Sequence, residues 1–142
     1  MTGKQTYLTW IVDDDEEYGT LLTKAFSEKK LDSRLDFFLS GQLVLEKLDD
    51  VDGELPDLIL LDLVLPKRDG IDILLAIRSN PRTMHIPVLI VSTSTSPATI
   101  SLCYQLGVNA YVMKPGQFDD LAYFVNSICR YWLEMSDQLT RT

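Results

Sequence analysis

The chain has 142 residues, 46% of them apolar, with a formal net charge of -8. That length suits one domain, residues 1–142, able to bury a core without staples and with no room for an output domain. The acidity works against a nucleic-acid partner, because affinity for phosphate backbones comes from clustered Lys and Arg, and the strongest basic clusters are only Lys29-Lys30 and Lys67-Arg68. The opening "MTGKQTYLTW" has no apolar run after its single Lys, and no stretch approaches the roughly 18 to 20 apolar residues of a membrane span. We therefore expect a soluble, cytoplasmic protein.

Short β-rich apolar runs alternate with longer amphipathic ones. "YLTWIV" (7–12) reads as a strand, and residues from about 15 to 29 as a helix with Leu21, Leu22, Ala25 and Phe26 on one face. "SRLDFFL" (33–39) reads as a second strand, and Ser40 can cap a short helix carrying Leu43, Val44 and Leu48. After "DGELPD" comes "LILLD" (58–62), apolar on both faces as a central parallel strand should be. "RDGIDILLAIRS" makes a third helix, ended by Asn80-Pro81. "PVLIVS" (87–92) is a fourth strand. "PATISLCYQLG" is a fourth helix, with Pro97 in its first turn and Gly107 as its C-cap. "NAYVMK" is a fifth strand, and residues from about 117 to 134 form a last helix whose stripe includes Leu121, Phe124, Val125, Ile128 and Trp132. Five β-then-α units predict an α/β fold, a doubly wound parallel sheet with helices on both faces.

In such a sheet, ligands bind beyond the carboxyl ends of the strands. There the sequence places "DDDEE" (13–17), Asp62, "STSTS" (92–96) and Lys114-Pro115. Each has an ordinary explanation when read alone. Asp14 or Asp15 can cap the first helix, "STSTS" can be a polar loop, and Lys-Pro a surface turn. An ionised Asp62 at the end of an apolar strand nevertheless needs compensation. Asp13 and Asp14 beside Asp62 make an oxygen-ligand set suited to a hard cation such as Mg²⁺. Carboxylate, metal site, hydroxyl and ammonium together are the parts for phosphoryl transfer onto Asp.

The stretches "IVDDDEE", "DLILLDLVLP" with "DG" three residues past the Pro, "IPVLIVSTS" and "GVNAYVMKP" occur in an order and spacing that resemble the receiver domain of two-component response regulators. That resemblance implies a flavodoxin-like sheet of order 2-1-3-4-5. Asp62 is then the phosphoacceptor, Asp14 the direct Mg²⁺ ligand, Asp13 the partner that holds the ion largely through water, and Val64 the donor of a backbone carbonyl to it. Val64 and Thr93 supply backbone contacts to the phosphoryl group. Ser92 is the switch hydroxyl that reorients toward that group, Lys114 the cation that ion-pairs with the phosphoryl group, and Tyr111 the switch aromatic. The resemblance also implies a cis Lys114-Pro115 peptide, which the base rate of about 5 to 6% does not supply. It implies as partner a sensor histidine kinase or phosphotransfer protein, and a signal carried by the face of the fourth helix, fifth strand and fifth helix. "LPKRDG", "YQLGVNAYVMKP" and "YWLE" are further similar to the small stand-alone regulators related to those paired with bacterial phytochromes.

Two departures stand out. Gly116 follows the Lys-Pro pair where an apolar or aromatic residue is common, which loosens the start of the last helix. Val64, and Ser94 two residues past the switch hydroxyl, offer no base for a hydrolytic water. Two alternatives compete with the receiver. An Asp-nucleophile, Mg²⁺-dependent phosphatase of the haloacid dehalogenase type wants an acid at position 64, where Val64 stands. A pseudo-receiver used only for protein binding is expected to lose some of Asp13, Asp14, Asp62, Ser92 and Lys114.

Cys103 and Cys129 fall in helical apolar patterns and read as buried free thiols. His85, the only histidine, reads as a solvated loop residue, so a phosphodonor must come from outside the chain. Tyr123 and Tyr131, with Cys103 and Tyr104, form a candidate exposed patch for a homodimer.

Overall fold

The structure is a computed structural model and describes residues 6–29, 31–66 and 69–135. Lys30 and the Lys67-Arg68 pair, which belong to the two basic clusters, lie outside the described residues. The elements are β1 (Tyr7–Val12), α1 (Glu16–Ser27), β2 (Ser33–Phe38), α2 (Gly41–Asp49), β3 (Leu58–Leu61), α3 (Gly70–Ser79), β4 (Val88–Ser92), α4 (Pro97–Gln105), β5 (Ala110–Met113) and α5 (Phe118–Ile128). All strand pairs are parallel, in the order β2-β1-β3-β4-β5, as expected.

Alternation along β1 divides the interior into two layers. Tyr7 and Ile11 enter a core with Tyr18, Leu22, Ala25 and Phe26 of α1 and Leu121, Phe124, Val125 and Ile128 of α5. Leu8, Trp10 and Val12 enter a second core on the opposite face, with Val44, Leu48, Ile73, Leu74, Ile77 and Cys103. The central strands β1, β3 and β4 are buried throughout, which accounts for runs that are apolar on both sides. Among the described residues, no helix is long and apolar enough to cross a membrane.

Several boundaries and faces differ from the sequence reading. The inner face of α1 is Tyr18, Leu22, Ala25 and Phe26, while Leu21 is exposed, because spacings of four, seven and eight from Tyr18 follow the 3.6-residue period and Leu21 lies about 100° off Leu22. Leu43 of α2 is likewise exposed. The last helix does not run unbroken to residue 134; after Ile128 it widens into a π-helical segment, Cys129–Met135. The wider turn changes the phase, so Cys129 and Leu133 are buried and Trp132 only partly so. Cys103 is the buried residue of α4 and takes no part in a surface patch, whereas Tyr104, Tyr123 and Tyr131 are exposed. Both cysteines are free and buried, and His85 is exposed.

Four helices begin with a side-chain cap, from Asp15, Ser40, Asp69 and Ser96. The exception is α5, where Gln117 makes no capping bond, in keeping with Gly116 before it. Helix α4 ends at Gln105 with Leu106, not the expected Gly107, as its C-cap; Gly107 follows, and its φ of 97° is the left-handed conformation that glycine adopts without strain. The N–H groups of Gly107 and Val108 return to the carbonyls of Tyr104 and Cys103.

That turn is tied to the rest of the fold by Arg78 at the end of α3. Its Nε donates to Gly107 O at 2.9 Å, Nη1 to Met84 O at 3.1 Å and Ile86 O at 2.8 Å, and Nη2 to Asn109 Oδ1 at 2.9 Å. Asn109 Oδ1 also accepts from Val88 N–H at 2.9 Å, so one guanidinium joins α3, the approach to β4 and the start of β5. Burial lowers its pKa, the expected direction for a cation held by carbonyls alone. Lys has one ammonium in place of the planar fork and cannot reach all four acceptors. Arg78→Lys is therefore expected to cost about 2 kcal/mol, read as a lower denaturation midpoint at an unchanged denaturant slope.

Candidate functional site

The strand ladder carries the chemistry to one edge. Val12 pairs with Leu61, so Asp13 and Asp62, each one residue past its strand, emerge side by side. Asp62 N–H donates to Val12 O at 2.9 Å and Asp13 N–H to Phe38 O at 3.1 Å. Across the sheet, Lys114 N–H donates to Ser92 O at 2.9 Å, which fixes Lys114 beside the end of β4. Parallel pairing thus delivers two carboxylates, a hydroxyl and an ammonium to a common mouth.

Ligand oxygens of Asp13, Asp14 and Asp62 lie within 4.8 Å of one another, Asp13 buried, Asp62 partly buried and Asp14 exposed. Lys114 Nζ is 2.8 Å from Asp13 Oδ2, 3.7 Å from Asp62 Oδ2 and 3.9 Å from Asp15 Oδ2. One ammonium faces an excess of carboxylates, so the cluster fits a divalent cation: oxygen ligands only, an unbalanced negative charge and one member open to solvent.

The electrostatics follow. Burial and the nearby charge of Asp13 raise the Asp62 pKa, although the Val64 and Leu63 N–H groups and Lys114 act the other way. The folded protein without a cation therefore holds the Asp62 proton more tightly than the unfolded chain does, and this group's contribution to stability is lost as pH rises through the raised value. For Lys114, burial opposes the charged form, but the Asp13 hydrogen bond and the charges of Asp13, Asp62 and Asp15 outweigh it and raise the pKa.

The loops around the mouth are equally specific. Val64 N–H donates to Asp62 Oδ1 at 3.3 Å, while the Val64 side chain is exposed. Ser92 is buried, and its Oγ accepts from Ser94 N–H at 3.2 Å; Thr93 beside it is exposed. Tyr111 Oη donates to Ser94 O at 2.9 Å, and Tyr111 N–H donates to Tyr104 Oη at 3.1 Å. The Lys114-Pro115 peptide is trans, since no cis bond occurs among the described residues. Trans is the default X–Pro isomer by about 0.5 to 1 kcal/mol. Lys114 is positioned by its own N–H on the upstream side of that bond, so its side chain reaches Asp13 without the expected cis form.

Asp15 is the helix cap that the sequence allowed, accepting from Tyr18 N–H at 3.1 Å; sequence reasoning missed that it also lies beside Lys114, and missed Tyr18 and Gly70. Tyr18 places its ring beneath the Lys114 ammonium; its spacing from Leu22 was the available signal. Gly70 starts α3 against the Asp62 backbone, and a Cβ there would come within 2.5 Å of both Asp62 O and Leu63 Cα. Only glycine admits that approach, which gives the "DG" pair its physical meaning: Asp69 caps α3 and Gly70 N–H holds Leu63 O at 2.8 Å.

Residues 9–126 match the response regulator receiver domain. The probable methanogenesis regulatory protein FilR2 of Methanothrix harundinacea is 33% identical over 136 residues, 94% of this chain and 88% of its own length. The response regulator Rcp1 of Synechocystis is 33% identical over 129 residues, 87% of each chain. Among solved structures, the Mn(2+)-bound form of Rcp1 superposes with a TM-score of 0.83 at 31% identity, covering 90% of this chain and 95% of that one. The phosphorylated cyanobacterial phytochrome response regulator RcpA does so with a TM-score of 0.85 at 30% identity, covering 92% and 96%. The chain belongs to the response regulator receiver domain family.

Proposed function

We propose that Asp62 is the phosphoacceptor of this receiver, that the site's cation is Mg²⁺, and that the donor is a phosphohistidine of a sensor histidine kinase, of the phytochrome type, or of a phosphotransfer protein. The observation that carries this reading is the position of Asp62: one residue past a fully buried strand, with ligand oxygens of Asp13 and Asp14 within 4.8 Å and the Lys114 ammonium 3.7 Å away.

A carboxylate oxygen of Asp62 attacks phosphorus as the P–N bond of the phosphoimidazole breaks, the electron pair returning to the imidazole nitrogen and an acyl phosphate forming on Asp62. A cation held by Asp13, Asp14, Asp62 and the Val64 carbonyl supplies charge neutralisation when bound. Lys114 releases part of its interaction with Asp62 to the incoming phosphoryl oxygens, and the Val64 and Thr93 N–H groups with the Ser92 hydroxyl complete the cradle. The single histidine, His85, is exposed in the turn before β4, which leaves the donor to a partner.

Output follows from the bonded chain Ser92, Ser94, Tyr111, Tyr104. When Ser92 turns toward a phosphoryl group, Ser94 and the Tyr111 ring must readjust, altering the α4, β5 and α5 face, where Tyr104, Met113 and Tyr123 are exposed. That face is the one for a downstream protein or a second copy. We place the protein in the cytoplasm with no nucleic-acid or membrane partner. The phosphatase reading lacks its second acid at Val64, and the pseudo-receiver reading leaves the convergence of five chemistry-bearing residues without a purpose.

With acetyl phosphate and Mg²⁺, intact-mass spectrometry is expected to show one added phosphoryl group, absent in Asp62→Asn and after EDTA; steady turnover of a small phosphoester would instead establish the phosphatase. Removing the buried charge also relieves repulsion from Asp13, so Asp62→Asn is expected to raise the Tm in EDTA by a few degrees, the scale of about 1 kcal/mol in a domain of this size, with Mg²⁺ narrowing the difference. Val64→Asn puts an amide at the mouth where a hydrolytic water must be held; acyl phosphate loss is expected to quicken by roughly threefold or more, and an unchanged decay curve would refute control of the lifetime by this position.

A further inference from the structure

Tyr18 lies on the inner face of α1, one turn past Asp14, and is 7% exposed. The Lys114 ammonium sits 4.4 Å from the centre of its ring. An ammonium has three N–H donors and no acceptor, on a flexible four-carbon stem. Three carboxylates compete for those donors, and they are not equivalent: Asp13 is buried and Asp62 largely so, whereas the Asp15 side chain is half-exposed, opening a path toward solvent. The aromatic face attracts the cation electrostatically but makes no ordinary hydrogen bond with it, so the donors turn away from the ring and toward the carboxylates.

We propose that Tyr18 is a positioning residue for Lys114: its ring forms a wall that aims the ammonium at Asp13 and Asp62, and so at the phosphoryl group that Asp62 receives. The inference rests on the reading of Asp62 as phosphoacceptor. The competing account is that Tyr18 is simply one of the apolar residues packed with Leu22 and Phe26 in the same core. The two accounts part over which side chains can replace it. Core packing accepts an aliphatic residue of similar size, whereas aiming a cation requires an aromatic face. The phenol hydroxyl is buried without a hydrogen-bond partner, so the ring alone carries the role and Phe should preserve it.

The test uses the full chain and its Tyr18→Phe and Tyr18→Leu variants. A ring beneath Lys114 shifts its ε-methylene proton resonances upfield. We expect this shift in the wild type and in Tyr18→Phe, and its loss in a folded Tyr18→Leu. Phosphorylation by acetyl phosphate with Mg²⁺ should be rescued in Tyr18→Phe and slowed roughly five- to tenfold in Tyr18→Leu, the size of one partly desolvated cation–π contact. A folded Tyr18→Leu phosphorylated at the wild-type rate overturns the proposal, as does a Tyr18→Phe as slow as Tyr18→Leu. Absence of the Lys114 shift in the wild type overturns it too, and needs no variant to fold. If the wild type takes up no phosphoryl group, the phosphoacceptor reading falls, while the Lys114 shifts still decide whether Tyr18 positions the ammonium.

Discussion

The constraint on which the rest depends is the charge imbalance at the carboxyl edge of the sheet. Asp13, Asp15 and Asp62 lie within 3.9 Å of a single ammonium, that of Lys114, and Asp14 adds a further carboxylate beside Asp13 and Asp62. Burial and the nearby charge of Asp13 raise the pKa of Asp62, against the opposing pull of the Val64 N–H and Lys114. The fold resists the repulsion with backbone. Asp13 and Asp62 extend the strand ladder by one residue each, through hydrogen bonds to Phe38 O and Val12 O, so neither can withdraw without breaking sheet pairing. A site held against its own charge is pre-organised for a divalent cation, which offsets the excess of carboxylates.

The supports of Asp62 are arranged on different elements, which makes its position over-determined. Val64 N–H bonds one carboxylate oxygen, Lys114 approaches the other, and Gly70 closes on the main chain behind it. The helix that begins at Gly70 ends at Arg78, whose guanidinium binds the α4 turn and the start of β5. Helix α3 therefore connects the backbone of Asp62 to the elements bearing Tyr104 and Tyr111.

Much of this was legible in the sequence, and the reasons are physical. Parallel strands buried on both faces produce short, continuous apolar runs, so all five strands were recognisable, β1 at its observed limits and β3 one residue long. Chemistry at strand ends is a local property, so Asp13, Asp14, Asp62, Ser92 and Lys114 could be named from spacing and family resemblance, and the structure brings their strand ends to one edge. What escaped was set by tertiary contact. Leu21 and Tyr18 are both apolar enough for the inner face of α1, and the helical phase set by Leu22, Ala25 and Phe26 favours Tyr18, which packs in the same core as α5. Arg78 looks like any basic residue in a last helical turn, and three of its four acceptors are main-chain carbonyls, which carry no sequence signal. The change of phase after Ile128 is likewise an outcome of packing.

The two edges of the sheet are treated differently, and this bears on how the site communicates. On the β2 side, Phe37 and Leu39 stay exposed beside a groove that reaches Asp13, Asp15 and Glu16, so a partner seated there meets the acidic mouth directly. On the β5 side the edge is partly closed from within: the Tyr104 hydroxyl takes the Tyr111 N–H, an edge donor otherwise left to solvent or to another strand. That bond is short-range and solvent-accessible, hence weak compared with the buried ladder, and it stands last in a chain beginning at the buried Ser92 hydroxyl. The Ser92 end of that chain is thus buried and the Tyr104 end solvent-exposed, and α5, which begins without a side-chain cap beyond Gly116, lies on the same side.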